Sequence, residues 1–170
     1  AIISFDPNIR LPLWSSAEAC QETVREFLPD ADLVKLSDEE CFFVTGKHSI
    51  LDAADWLFEQ GCKMVLYSMG KEGAMILTPH FSSHVENPEV RVKDTTGAGD
   101  AIIGAYLYCL AKNHITVSQL ADCLPEQVQE WLTFAVYYAN YSITKSGAIA
   151  SYPDYTTFVK WMQEKRKKAH

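Results

Sequence analysis

Asp94-Thr95-Thr96-Gly97-Ala98-Gly99-Asp100 is the stretch of this chain whose residue types and spacing are best suited to chemistry. Two glycines separated only by Ala98 can turn their amides toward one point, and a helix starting beside them adds unpaired N–H groups and a positive dipole end. That combination is an anion site. An acid at its rim, Asp100, would repel a phosphate if holding phosphate were the only task. It has a purpose if it accepts a proton from, or orients, a hydroxyl attacking a phosphoryl group held over the loop. Taken alone, the same string also makes an ordinary turn, with Asp100 as a helix-start acid favoured by the dipole.

Four further segments carry polar groups at the ends of regular elements. Asp6-Pro7-Asn8-Ile9-Arg10 follows an apolar run, and ligands of parallel α/β sheets collect at such strand ends. Ser37-Asp38-Glu39-Glu40 has the spacing of a helix capping box, which would account for Ser37 and Glu40 without any ligand. Ser68-Met69-Gly70-Lys71-Glu72-Gly73 reads as a hairpin turn needing its glycines for their backbone angles, and it is not a Walker A loop. Thr144-Lys145-Ser146-Gly147-Ala148 ends a long helix at Gly147.

The string from Asp94 to Asp100, opening an apolar helix, closely resembles the signature of the ribokinase-like, or phosphofructokinase-B, carbohydrate kinases. Asp6 to Arg10 resembles the Asp-Pro-Asn-x-Arg segment of fructokinases and related sugar kinases. By that resemblance Gly97, Ala98 and Gly99 form the anion hole for the transferring phosphate and Asp100 is the catalytic base. Asn8, Arg10 and Thr96 then fall on the phosphate side. Ser37 and Glu40 occupy the place of an Asn-x-x-Glu motif, with serine replacing asparagine and Glu40 organising magnesium through its waters. Ser68, Gly70 and Gly73 resemble the family's nucleotide loop. The segment ending in Gly147 and Ala148 resembles a loop bordering the adenine pocket and, in many members, a potassium site, which would lie near Asp94, Thr96, Ala148 and Ser151. Val136 stands where many relatives carry an asparagine facing the base, so base contacts are expected to be mainly apolar.

The resemblance implies ATP, magnesium and potassium as cofactors and a small sugar as substrate, with fructose favoured by the Asp6 to Arg10 segment. A nucleoside or ketodeoxygluconate kinase would share these motifs, and a non-catalytic nucleotide-binding module is the reading from another class. The matching segments correspond to the latter half of a family member. The expected architecture is therefore an α/β ribokinase-like layered fold, a mostly parallel sheet flanked by helices, with the N-terminal part and lid missing. Residues 1–170 would form one domain or domain fragment, whose open sheet edge a homodimer could cover.

The elements that must position these loops follow from periodicity. Ala1 to Phe5, Leu33 to Leu36, Lys63 to Ser68 and Ala74 to Thr78 read as strands, and Phe81 to Val92 as two short extended pieces around Asn87-Pro88. Residues 16–28 read as a helix capped by Ser15 and Glu18, and residues 41–45 and 49–60 as two more. Ala101 to Leu110 is apolar all round and so a buried anchor for the loop. Thr116 to Leu124 predicts a short helix, Pro125 to about Ile143 a long one, and Asp154 to Lys168 a closing amphipathic one.

A formal net charge of −7 argues against a nucleic-acid or anionic-membrane surface, which depends on lysine and arginine. The 170 residues hold five cysteines without metal-ligand spacing, which read as reduced core thiols of a cytoplasmic protein. His80 and His84 read as surface residues. No uninterrupted apolar stretch is long enough to span a bilayer.

Overall fold

In the computed structural model, which describes residues 1–168, a mixed sheet lies between two helical layers. Its strands are β1 (Ser4–Phe5), β2 (Leu33–Ser37), β3 (Met64–Ser68), β4 (Ala74–Leu77) and β5 (Ser82–Val85), adjacent in that order. β1, β2 and β3 pair in parallel, whereas β3 to β4 and β4 to β5 are antiparallel. The parallel part is where crossover helices intervene; the antiparallel part is where short connections turn the chain straight back.

The helices are α1 (Ala17–Phe27), α2 (Asp38–Thr45), α3 (Ile50–Glu59), α4 (Ala98–Lys112), α5 (Pro125–Ser142) and α6 (Tyr155–Lys168). Alternation along the strands sorts the core into two halves. Val34, Leu36, Val65 and Leu77 pack with Cys20, Val24, Val44 and Leu57 from α1, α2 and α3. Leu33, Met64, Leu66, Ala74 and Ile76 pack on the opposite face with Tyr106, Leu110, Leu132 and Val136 from α4 and α5. Lys35 lies between Val34 and Leu36 in β2 and so belongs to the α4 side, yet it is only 5% exposed. A charge buried there requires partners.

Several boundaries differ from the sequence reading. Ser16, not Ser15, caps α1, its Oγ accepting from the Ala19 amide at 3.1 Å. Both serines suit a cap, and the burial of Cys20 and Val24 sets the register between them. Thr116 to Leu124 yields only a 3-10 turn at Val117–Gln119, closed by the Thr116/Gln119 capping box, because too few residues follow before Pro125 restarts the chain. Between Phe81 and Val92 the only strand is β5. α4 begins at Ala98, three residues before the apolar run, so Gly99 and Asp100 lie inside its first turn.

All five cysteines are free and buried, and His80 and His84 are exposed. Among the described residues no helix is long and apolar enough to cross a membrane.

Candidate active site

Gly97 is the N-cap of α4, in the left-handed region at φ 77°. A Cβ there would lie 2.8 Å from the Tyr152 hydroxyl and 2.9 Å from the Ala148 Cβ, so glycine is required for both conformation and space. The Ala98 amide donates to Thr95 O at 3.1 Å. Its anion-hole role as an amide donor is thereby reassigned, since this N–H is already engaged. The amides of Gly97, Gly99 and Asp100 have no protein acceptor among the described residues. Three free donors at a helix N-terminus define an anion site.

These donors border a cleft of about 440 Å³. Asn8, Arg10, Ser37, Glu40, Ser68 and Thr96 line it together with Asp6, Lys35 and the 97–100 loop. The sequence reading thus brings its phosphate-side residues to one place, and the fold adds Lys35 and Asp6. Lys35 Nζ lies 3.2 Å from the Asp6 carboxylate and 3.8 Å from Glu40 Oε2. It would also be 3.2 Å from a Cβ built on Gly99, so the ammonium sits directly against the anion loop. Burial pushes the Asp6 carboxyl up, and Lys35 counteracts only part of that rise. The signal for Lys35 was available: a lysine in a strand covered on both faces is a charge with a reason to be there.

Glu40 serves the fold as well as the cleft. Its Oε1 accepts from the Ile9 amide at 3.0 Å, and its Oε2 accepts from the Ser37 amide and hydroxyl at 2.9 Å each. The capping box is therefore present, and the same carboxylate pins the Asp6 to Arg10 loop against α2. Burial pushes this carboxyl up, but the Ser37 amide, Lys35 and the Ile9 amide outweigh it and hold it below the ordinary range. In the loop itself the Asn8 amide donates to Asp6 Oδ1 at 3.2 Å and Asn8 adopts φ 41°, which turns the chain so that Arg10 faces the cleft mouth.

A second cavity, about 170 Å³, adjoins the cleft through Ser68, Ala98 and Gly99. It runs between the β3–β4 turn, where Gly70 and Gly73 lie, and the apolar residues Ile102, Val136, Ala139 and Ile143. Gly73 cannot carry a side chain, since a Cβ would stand 2.0 Å from Val85 O at φ 97°. Val136 stands in this apolar wall, with the polar Asn140 one turn later.

Asp94, Gly147, Ala148 and Ser151 do not line either cavity; they brace the anion loop from outside. Asp94 accepts from the Gly147 amide at 2.9 Å, the Thr96 hydroxyl at 2.7 Å and the Thr96 amide at 2.9 Å. Those bonds, the one from Gly147 foremost, lower its carboxyl to about 2. Ala148 O takes both the Ser151 amide at 3.0 Å and its hydroxyl at 2.6 Å. Tyr152, from the same segment, donates its hydroxyl to Gly97 O at 2.9 Å. Asp100 is exposed and lines both the cleft and an aromatic groove beyond it that includes Tyr108, Phe134, Tyr138 and Tyr155.

Among the described residues no group of three or more His, Cys, Asp and Glu side chains could hold a metal ion. The Lys35 ammonium fills the space between Asp6 and Glu40. This donor set fits a cation carried in by phosphate oxygens and met by one or two carboxylates, often through water, rather than a protein cage. Of the groups named for potassium, the Asp94 carboxylate and the Ala148 carbonyl accept protein hydrogen bonds, and the Thr96 and Ser151 hydroxyls donate theirs to those two acceptors.

Residues 1–155 match the model of the pfkB family carbohydrate kinases. Fructokinase-2 of Solanum habrochaites is 35% identical over 154 residues, 90% of this chain and 45% of the relative. Probable fructokinase-5 of Arabidopsis thaliana is 35% identical over 98% of this chain and 50% of its own length. Among solved structures, the fructokinase of Xylella fastidiosa with bound ATP superposes with a TM-score of 0.89 at 28% identity, covering 96% of this chain and 52% of that one. The fructokinase of Vibrio cholerae O395, bound to fructose, ADP and calcium, gives 0.81 at 30% identity, over 95% and 50% of the two chains. The chain spans about half the length of the curated relatives it matches.

Proposed function

Because the chain belongs to the pfkB family of carbohydrate kinases, we propose that its cleft is the phosphoryl-transfer site of an ATP-dependent sugar kinase, with a fructokinase-like substrate. The observation that carries this reading is the meeting, in one cleft, of unpartnered amides at Gly97, Gly99 and Asp100, the buried Lys35 ammonium and the exposed Asp100 carboxylate. Donors fixed before the reaction stabilise charge on the transferring phosphoryl oxygens without having to reorganise. Lys35 adds a full positive charge beside Gly99, held there by Asp6 and Glu40. Asn8 and Arg10 orient the outer phosphates from the cleft mouth. Asp100 accepts the proton of the attacking sugar hydroxyl on a carboxylate oxygen.

Magnesium, when bound with the nucleotide, supplies charge neutralisation between phosphate oxygens and carboxylates. Glu40 and Asp6 are the residues that would meet its waters. Asp94, Thr96, Ala148 and Ser151 act in this scheme as the brace of the anion loop, and no step runs through potassium.

The test is ADP release by this chain with ATP, magnesium and potassium across fructose, ribose, ketodeoxygluconate and adenosine, with Asp100→Asn alongside. Turnover on one acceptor, lowered ~10²- to 10⁴-fold in the variant, is the expected result. Equal rates for the two proteins would remove Asp100 from the mechanism. A second reading, a nucleotide-binding module without catalysis, is favoured by the half-length match to the relatives. It predicts nucleotide affinity with no turnover on any acceptor.

A further inference from the structure

The cavity that adjoins the cleft is lined by Ser68, Asn87 and Asn140 beside its apolar wall, and Asn140 among them is almost fully buried. Asn140 is 5% exposed, on the face of α5 that looks toward the β3–β4 turn. Its Nδ2 donates to Val136 O and to Asn87 Oδ1, both at 2.8 Å. Asn87 Nδ2 in turn donates to Gly70 O at 2.8 Å.

This chain of bonds fixes both amide orientations, because each end is a backbone carbonyl that can only accept. Both protons of Asn140 are consumed. What remains is its Oδ1, which receives from no protein donor among the described residues. No sealed side-chain oxygen or nitrogen lacks a partner, so this Oδ1 opens to the cavity that Asn140 lines. A largely apolar wall carrying an acceptor that no protein donor fills, joined to the cleft of free amides, matches a flat aromatic base that offers an N–H.

We propose that Asn140, held by Asn87, is the base-selecting residue of the nucleotide slot, accepting from the exocyclic amine of adenine and rejecting bases that present a carbonyl oxygen there. The inference rests on the reading of the cleft as a nucleotide site and deepens it. Hypoxanthine and guanine place an oxygen where adenine carries its amine. Two acceptors would then face each other, with both amide protons of Asn140 already spent on Val136 O and Asn87 Oδ1. Val136, one helical turn before Asn140, lies in the apolar wall of the same cavity.

Calorimetric titration of this chain with the magnesium complexes of ADP, inosine diphosphate and purine riboside diphosphate tests this directly. ADP is expected to bind ~10- to 100-fold more tightly than either analogue, the range for leaving one such polar group unpaired. In Asn140→Ala that preference falls to within about threefold, mainly through weaker ADP binding. The comparison of ligands on the unaltered chain stands even where the variant does not fold. Equal affinity of the unaltered chain for ADP and inosine diphosphate overturns the assignment of Asn140 and leaves the nucleotide site intact. Failure to bind any of the three overturns the nucleotide reading itself.

Discussion

Replacing Gly97 by alanine separates a glycine needed for geometry from one that is merely present. At φ 77° an L-residue pays about 1–2 kcal/mol. The new Cβ would also stand 2.8 Å from the Tyr152 hydroxyl and 2.9 Å from the Ala148 Cβ, well inside ordinary contact distance. Relief requires Tyr152 to move, giving up its bond to Gly97 O, which contributes about 1 kcal/mol. The sum is roughly 2–3 kcal/mol, or about 1–1.5 M in a urea midpoint for a slope near 2 kcal/mol/M. Gly104 on the same helix is the control, since a Cβ there meets nothing within 4 Å. Gly104→Ala should gain about 0.5–1 kcal/mol from helix propensity. Urea unfolding followed by circular dichroism, with phosphate or ADP binding measured on the same samples, reads both. An unchanged midpoint and unchanged anion affinity in Gly97→Ala would refute the argument that this loop is sterically fixed.

Other outcomes follow from the charges beneath the loop. Lys35→Met leaves Asp6 and Glu40 facing each other without their cation; a loss of about 2–4 kcal/mol is expected, reduced from the fully buried case because Asp6 opens partly to the cleft. The same variant should weaken ADP binding at low salt, and a stable variant with unchanged affinity would deny Lys35 its place in the cleft. Acid stability depends on Glu40 and Asp32. Burial pushes the Asp32 carboxyl up, but the Ile3 amide and Lys63 outweigh it and leave the carboxyl lowered, as for Glu40. Both folded values lie below the unfolded ones, so their stabilisation is complete above the ordinary carboxylate range and is lost as pH falls through the lowered values. Asp6, raised by burial, has the opposite sign and gains as it protonates. The unfolding midpoint should therefore fall below about pH 4, and Glu40→Gln should flatten that slope.

Local signals of fixed geometry were readable from the sequence. Gly97-Ala98-Gly99-Asp100 before an apolar run marked the loop whose free amides line the cleft, and Ser37 with Glu40 marked both a cap and a cleft wall. Lys35, the one charge in the strand run Leu33 to Leu36, was a visible anomaly, but its partners were not. Its meaning depends on Gly99, far along the chain, approaching within contact of its ammonium. Asn140 was hidden for a similar reason: on α5 alone it is a polar residue among apolar ones, and only the β3–β4 turn with Asn87 shows that its protons are spent. The engagement of the Ala98 amide with Thr95 O, which redistributes the loop's donors, is a matter of one turn's hydrogen bonding that composition does not encode.

The buried thiols give this molecule two internal clocks. Cys20, Cys41 and Cys62 belong to the core under α1 to α3, and Cys109 and Cys123 to the core under α4 and α5. Burial raises all five thiols above their ordinary range, so each reacts with an alkylating reagent chiefly when its layer opens. Labelling followed by peptide mass analysis therefore times the opening of the two sides of the sheet separately, within one sample. A ligand seated in the cleft against α4 should slow the Cys109 and Cys123 clock to an extent set by its affinity. The Cys20 clock then serves as the internal reference for whether the two layers open together or apart.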